Sequence, residues 1–158
     1  MMKRILILVS ILFVAISAVG CSGSGAKDVK ELNEGQQIVL DNLKDFAIVG
    51  SGLKTNLELS KADVDKFFKF AKTLVANSKE IDSKDLDNLE LSDIDKFLTL
   101  ANTSGNQHDF DGLGIVKTAK GKIYVTMANA NAKDGIVYEV NNPKKYFSQL
   151  DNLFKDLF

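Results

Sequence analysis

The stretch GLGIVKTAKGKIYVTMANANAKDGIVYEV, residues 112–140, changes the period of the chain. Upstream of it, apolar residues recur every three or four positions. Within it they alternate. Ile123, Val125 and Met127 share one side, as do Ile136, Tyr138 and Val140. Alternation of this kind marks a strand with one face on a core. The pattern predicts strands over Gly114–Thr118, Lys122–Ala128 and Gly135–Val140. Ala119-Lys120-Gly121 reads as a tight turn and Asn131–Gly135 as a longer one. Links this short favour an antiparallel meander.

Downstream, Asn142 stands where a helix cap belongs. Pro143 takes the first helical position, where a missing N–H costs nothing. Tyr146, Leu150, Leu153 and Leu157 form an apolar stripe flanked by Phe147, Phe154 and Phe158. That stripe predicts a C-terminal helix docked on the core. Upstream, Ser60 precedes Asp63 by three residues, a spacing close to a capping box. Val64, Phe67, Phe68, Ala71, Leu74 and Val75 follow at helical spacing, with Lys66, Lys69 and Lys72 on the other side. This predicts an amphipathic helix to about Asn77.

The same plan predicts a second helix after Ser92, carrying Ile94, Phe97, Leu98, Leu100 and Ala101. Residues 63–73 (DVDKFFKFAKT) and 93–103 (DIDKFLTLANT) agree at six of eleven positions. Two copies are fewer than a stacked array needs, so shared capping and core requirements explain the likeness better than a duplicated binding unit. Residues 28–52 are ambiguous. Leu40, Leu43, Phe46 and Ala47 suit a helical face, whereas Phe46–Val49 equally suits a strand. The expected class is α+β: amphipathic helices, a three-stranded antiparallel meander and a C-terminal helix, in one domain over residues 28–158.

The chain has 158 residues, with 20 basic against 21 acidic side chains, one histidine, one cysteine and no tryptophan. Arg4 is the sole arginine. Without basic clusters or further guanidinium forks, nucleic acid and phosphate-clamp readings lose their chemistry. Cys21, being alone, forms no disulfide within the monomer.

Met1-Met2-Lys3-Arg4 is a basic start, and Ile5–Val19 is an apolar run of fifteen residues interrupted only by Ser10 and Ser17. A bilayer-spanning helix takes about 20 residues. A shorter run behind a basic start has the layout of an export leader. The run ends Ala18-Val19-Gly20-Cys21, followed by Ser22-Gly23-Ser24-Gly25. This resembles the lipobox of bacterial lipoproteins. Ala18 stands where leucine is usual, while the small residues suit the peptidase and Cys21 sits at the new N-terminus. The resemblance covers residues 1–21 alone and implies a leader over 1–20, lipid on Cys21, and a flexible tether over 21–27. It also implies a cell-envelope location, at the outer membrane if the source has two membranes, since Ser22 rather than Asp follows the cysteine.

The densest polar cluster is Asn106–Gly112, NQHDFDG. His108, Asp109 and Asp111 are ligand types, which makes a metal site or an envelope hydrolase the alternative function. A calcium loop with Gly112 at its sixth position would run from Gln107 to Thr118, and neither end supplies the carboxylate such loops need. A solvated loop leading into the first strand is the plainer expectation. Asp82, Asp85 and Asp87 are acids on a surface connection, and Gly50-Ser51-Gly52 is too short to cradle phosphate. No cofactor is expected. A third expectation is a small-ligand carrier, with the sheet and C-terminal helix enclosing a cavity. The order of elements is similar to that of small outer-membrane assembly lipoproteins and periplasmic inhibitor domains, which implies a non-enzymatic module with a protein partner in the envelope.

Overall fold

The computed structural model describes residues 25–86, 89–128 and 135–158. The leader, Cys21, Asp87 and residues 131–134 of the longer turn lie outside them. The architecture is α+β. Helix α1 (Gly25–Asp41) leads through a 3₁₀ turn (Leu43–Asp45) into β1 (Phe46–Gly50). There follow β2 (Lys54–Asn56), α2 (Lys61–Val75), β3 (Ser78–Ile81), β4 (Ile94–Asn102), β5 (Gly112–Thr118), β6 (Ile123–Ala128), β7 (Ile136–Val140) and α3 (Phe147–Leu157). The seven strands form one antiparallel sheet in the order β2-β1-β4-β5-β6-β7-β3.

The expected meander is present as β5–β7, but it forms the fourth to sixth strands of a seven-stranded sheet. The second expected helix is the main error. Residues 94–102 form β4, the strand between β1 and β5. Leu98 and Leu100 point into the main core, while Phe97 and Ala101 pack with Val49 on the other face. A strand buried on both faces carries apolar residues at nearly every position, and such a run also satisfies a helical stripe. Hydrogen bonding to two neighbouring strands decides the outcome. Thus 63–73 and 93–103, identical at six positions, fold as a helix and mostly as a strand. Helix α1 begins at Gly25, inside the stretch read as tether.

Helix α2 matches its expectation. Ser60 Oγ accepts from the Asp63 amide at 3.1 Å, and Asp63 Oδ2 accepts from the Ser60 amide at 2.9 Å. This reciprocal cap satisfies two otherwise orphaned donors. Ser60→Ala is expected to lower the unfolding free energy by about 1 kcal/mol, readable by urea denaturation. The buried side of α2 (Val64, Phe67, Phe68, Phe70, Ala71, Leu74, Val75) joins Leu32 and Val39 of α1, and Leu150, Leu153 and Leu157 of α3, over one sheet face. Each large apolar side chain so buried contributes about 1.5–3 kcal/mol. On the opposite face, Ile81 and Leu86 close over Tyr124 and Val137.

The expected cap at Asn142 takes a different form. Asn142 is left-handed (φ 50°) and makes no side-chain cap bond. Pro143 opens a 3₁₀ turn to Tyr146 before α3 begins. The β5–β6 turn is as expected: the Gly121 amide donates to the Thr118 carbonyl at 2.9 Å, and Gly121 sits at φ 77°, where only glycine is unstrained.

Candidate functional site

The polar cluster of residues 102–111 is organised by a residue that sequence spacing gave no reason to select. The 3₁₀ turn before β1 buries Asp45, and strand pairing places Phe46 opposite Asn102. The loop leaving β4 therefore passes directly over Asp45. The Thr103 amide donates to the Asp45 carbonyl at 2.7 Å. Asn106 Nδ2 donates to Asp45 Oδ2 at 3.0 Å, and His108 Nε2 lies 2.9 Å from the same oxygen. An ionised carboxylate only accepts, so this contact is attractive with the proton on Nε2. The imidazole also rests against the Phe46 ring, with centroids 5.4 Å apart.

The loop is tied within itself as well. Asn102 Nδ2 donates to the Asn106 carbonyl at 2.6 Å, and Asn102 Oδ1 accepts from the Ser104 amide at 3.1 Å. Phe110 anchors the far end, buried against Phe68 at 5.8 Å. Gly35 on α1 is the hydrogen-sized gap that admits this ring: a Cβ there would lie 2.5 Å from it.

The three candidate ligands therefore part company. His108 turns inward to Asp45, Asp109 is exposed, and Asp111 is half-buried at the start of β5. Among the described residues, no group of three or more His, Cys, Asp or Glu side chains is arranged to hold a metal. Asp82 serves its own turn, accepting from the Lys84 amide at 3.0 Å. Ser51 accepts from the Phe97 amide at 2.7 Å, a bond that ties the β1–β2 turn to β4. Cys21, the expected lipidation site, is outside the described residues.

The electrostatics of the loop oppose one another. The Asn106 and His108 hydrogen bonds hold the Asp45 carboxyl below its ordinary range, against the cost of burial. Burial pushes Asp111 up, only partly offset by His108. The two signs differ in consequence. Asp45 contributes stability above the ordinary carboxylate pKa, and that contribution is lost as pH falls through its depressed folded value. Asp111 contributes below the ordinary value, and its contribution is lost as pH rises through its elevated one. Asp111→Asn is therefore expected to stabilise the protein at pH 7, with the gain vanishing in acid below the ordinary carboxylate range. Unfolding midpoints measured across pH check this, and an unchanged or lower midpoint at pH 7 refutes it.

A second surface feature lies at the β2 edge. Leu53, Leu57 and Phe158 are the exposed large apolar side chains among the described residues. Lys54–Glu58 and the end of α3 line an open groove of about 500 Å³ there. The Asn56 Nδ2 bond to the Leu157 carbonyl, 3.3 Å long, joins its two walls.

No family model, no curated protein and no solved structure matches this chain. Among the described residues, no helix is long and apolar enough to cross a membrane.

Proposed function

We propose that this chain is a cell-envelope lipoprotein, held at a membrane surface by lipid on Cys21, whose α+β domain serves as a non-enzymatic binding or assembly module. The observation that carries the reading is the order basic start, fifteen-residue apolar run, Ala18-Val19-Gly20-Cys21. Small residues before a cysteine are what lipid attachment and cleavage demand, and this cysteine is the only one. The inward-turned polar loop supports a binding rather than a chemical role. Through Asp45 Oδ2, the His108 and Asn106 side chains hold residues 103–110 to the end of the sheet.

Labelled-palmitate incorporation with membrane fractionation tests the anchor, comparing wild type with Cys21→Ser. The expected outcome is complete loss of label and of membrane association in the variant. Wild-type protein that takes up no label in an exporting host overturns the reading. In vivo crosslinking then tests the module: a reproducible envelope partner is expected, and repeated failure to recover one counts against it.

A further inference from the structure

We propose that the corner built by the β1–β2 turn, the exit of β2 and the end of α3 is the face that this domain lays on the lipid headgroups, with Leu53, Leu57 and Phe158 entering the interface. This rests on the lipid anchor proposed above and adds how the domain is oriented on the membrane.

The tether supplies the first argument. Four residue steps separate Cys21 from Gly25, where α1 begins. At full extension they span no more than about 14 Å. On so short a lead, the start of α1 in a lipid-anchored domain stays within about 14 Å of the headgroups, so one face of the domain is always close to them. The question is which face gains by being there.

Exposure supplies the second. Leu53 is 55% exposed, Leu57 58% and Phe158 36%, and they gather at one corner. Leu57 and Phe158 line the same groove. A Cβ on Gly50 would lie 2.6 Å from the Phe158 ring, which places that ring beside the β1–β2 turn. The backbone presents Leu53 outward. It follows Gly52 (φ 73°) and is itself left-handed (φ 56°), a conformation that strains a branched side chain. Asn or Gly would relieve the strain, yet the position carries an exposed leucine.

Charge supplies the third. Lys54 lies within the corner and stacks over Phe154 at 5.5 Å. Lys61 opens α2 just beyond Leu57–Leu59, and Lys155 precedes Phe158 by one helical turn. All three are exposed, and none makes an ion pair among the described residues. Glu58 is the one acid lining the groove. Apolar side chains at the centre, with ammonium groups around them that no carboxylate pairs among the described residues, are the pattern of a surface that sits in an anionic headgroup layer. The side chains stand out on a turn tip and a strand edge around an open groove, a shape suited to a yielding lipid surface more than to a rigid protein ridge.

The chain contains no tryptophan, so a single introduced indole is an unambiguous reporter. The full lipidated protein carrying Leu57→Trp is reconstituted in phosphatidylethanolamine–phosphatidylglycerol vesicles containing bromine-labelled acyl chains. A second variant, Lys84→Trp, places the reporter just after β3. That is the opposite edge of the sheet, about 29 Å away across six strand spacings. Palmitate label is counted on the same samples. At least threefold stronger quenching at position 57 than at position 84 is expected, falling to parity when Leu53→Ser and Phe158→Ser are added. Equal quenching at the two positions, with palmitate present, overturns the proposed orientation and leaves the anchor standing. Absence of palmitate removes the anchor and the orientation together. An indole at position 57 shielded in native membranes but not in pure lipid vesicles also overturns the proposal, in favour of a protein partner at this corner.

Discussion

Phe68→Ala is expected to lower the free energy of unfolding by about 3–5 kcal/mol, a large share of the roughly 5–15 kcal/mol that holds a domain of this size folded. Phe68 is completely buried. Its ring meets Phe67 edge-on at 6.2 Å and Phe110 at 5.8 Å. Phe110 in turn occupies the gap over Gly35. The side chain thus sits where α2, α1 and the end of the 103–110 loop converge, and its removal opens a hole that no single neighbour closes. Urea denaturation should show a lower midpoint at an unchanged slope. A loss under about 1 kcal/mol would mean that these elements relax onto one another, contrary to the packing described.

Gly112→Ala is expected to cost about 3 kcal/mol by a different route. A Cβ on Gly112 would lie 2.7 Å from the Leu100 carbonyl oxygen. That neighbour is backbone, so no rotamer change relieves the contact. Gly112 pairs with Ala101 on one side and Ala128 on the other, which places the clash in the middle of the sheet. Hydrogen exchange should quicken along β4 and β5 first. Gly121→Ala is the comparison. Its backbone is left-handed but the nearest atom to a Cβ is 3.5 Å away, so only conformational strain applies, about 1 kcal/mol. If the two variants cost the same, close approach is not the reason for Gly112.

What could be read from the sequence follows from where each element's information resides. Helices α2 and α3 carry complete apolar stripes, and α2 its own cap as well, and both were legible. The β5–β7 meander announced itself through alternation and the Gly121 turn. Strands β2 (KTN) and β3 (SKEI) are short, polar and at the sheet edges. Their conformation comes from the strand beside them, not from any pattern of their own. Strand β4 carried a misleading pattern, because burial on both faces fills the positions that a helix stripe would also fill. The Asp45–His108 contact spans 63 residues. Histidine in a polar loop pointed to a site, but nothing local could name its partner. Cys21 is the reverse case: its proposed role rests on its sequence neighbours alone, and it lies outside the described residues.

The sheet order also bears on when the chain is able to fold. Phe46 pairs with Asn102, and Ser78 pairs with Val140. Strands β1 and β3 therefore await partners made later, whereas β2 pairs locally with the β1 already made. Loop closure over such separations slows folding. Made N-terminus first, the chain would hold β1 with the short β2 hairpin as its only strand partner until β4 is complete, and would leave β3 unpaired until β7 follows. Protection of the apolar faces during that interval, rather than the final stability of the domain, would then limit how much of it accumulates folded.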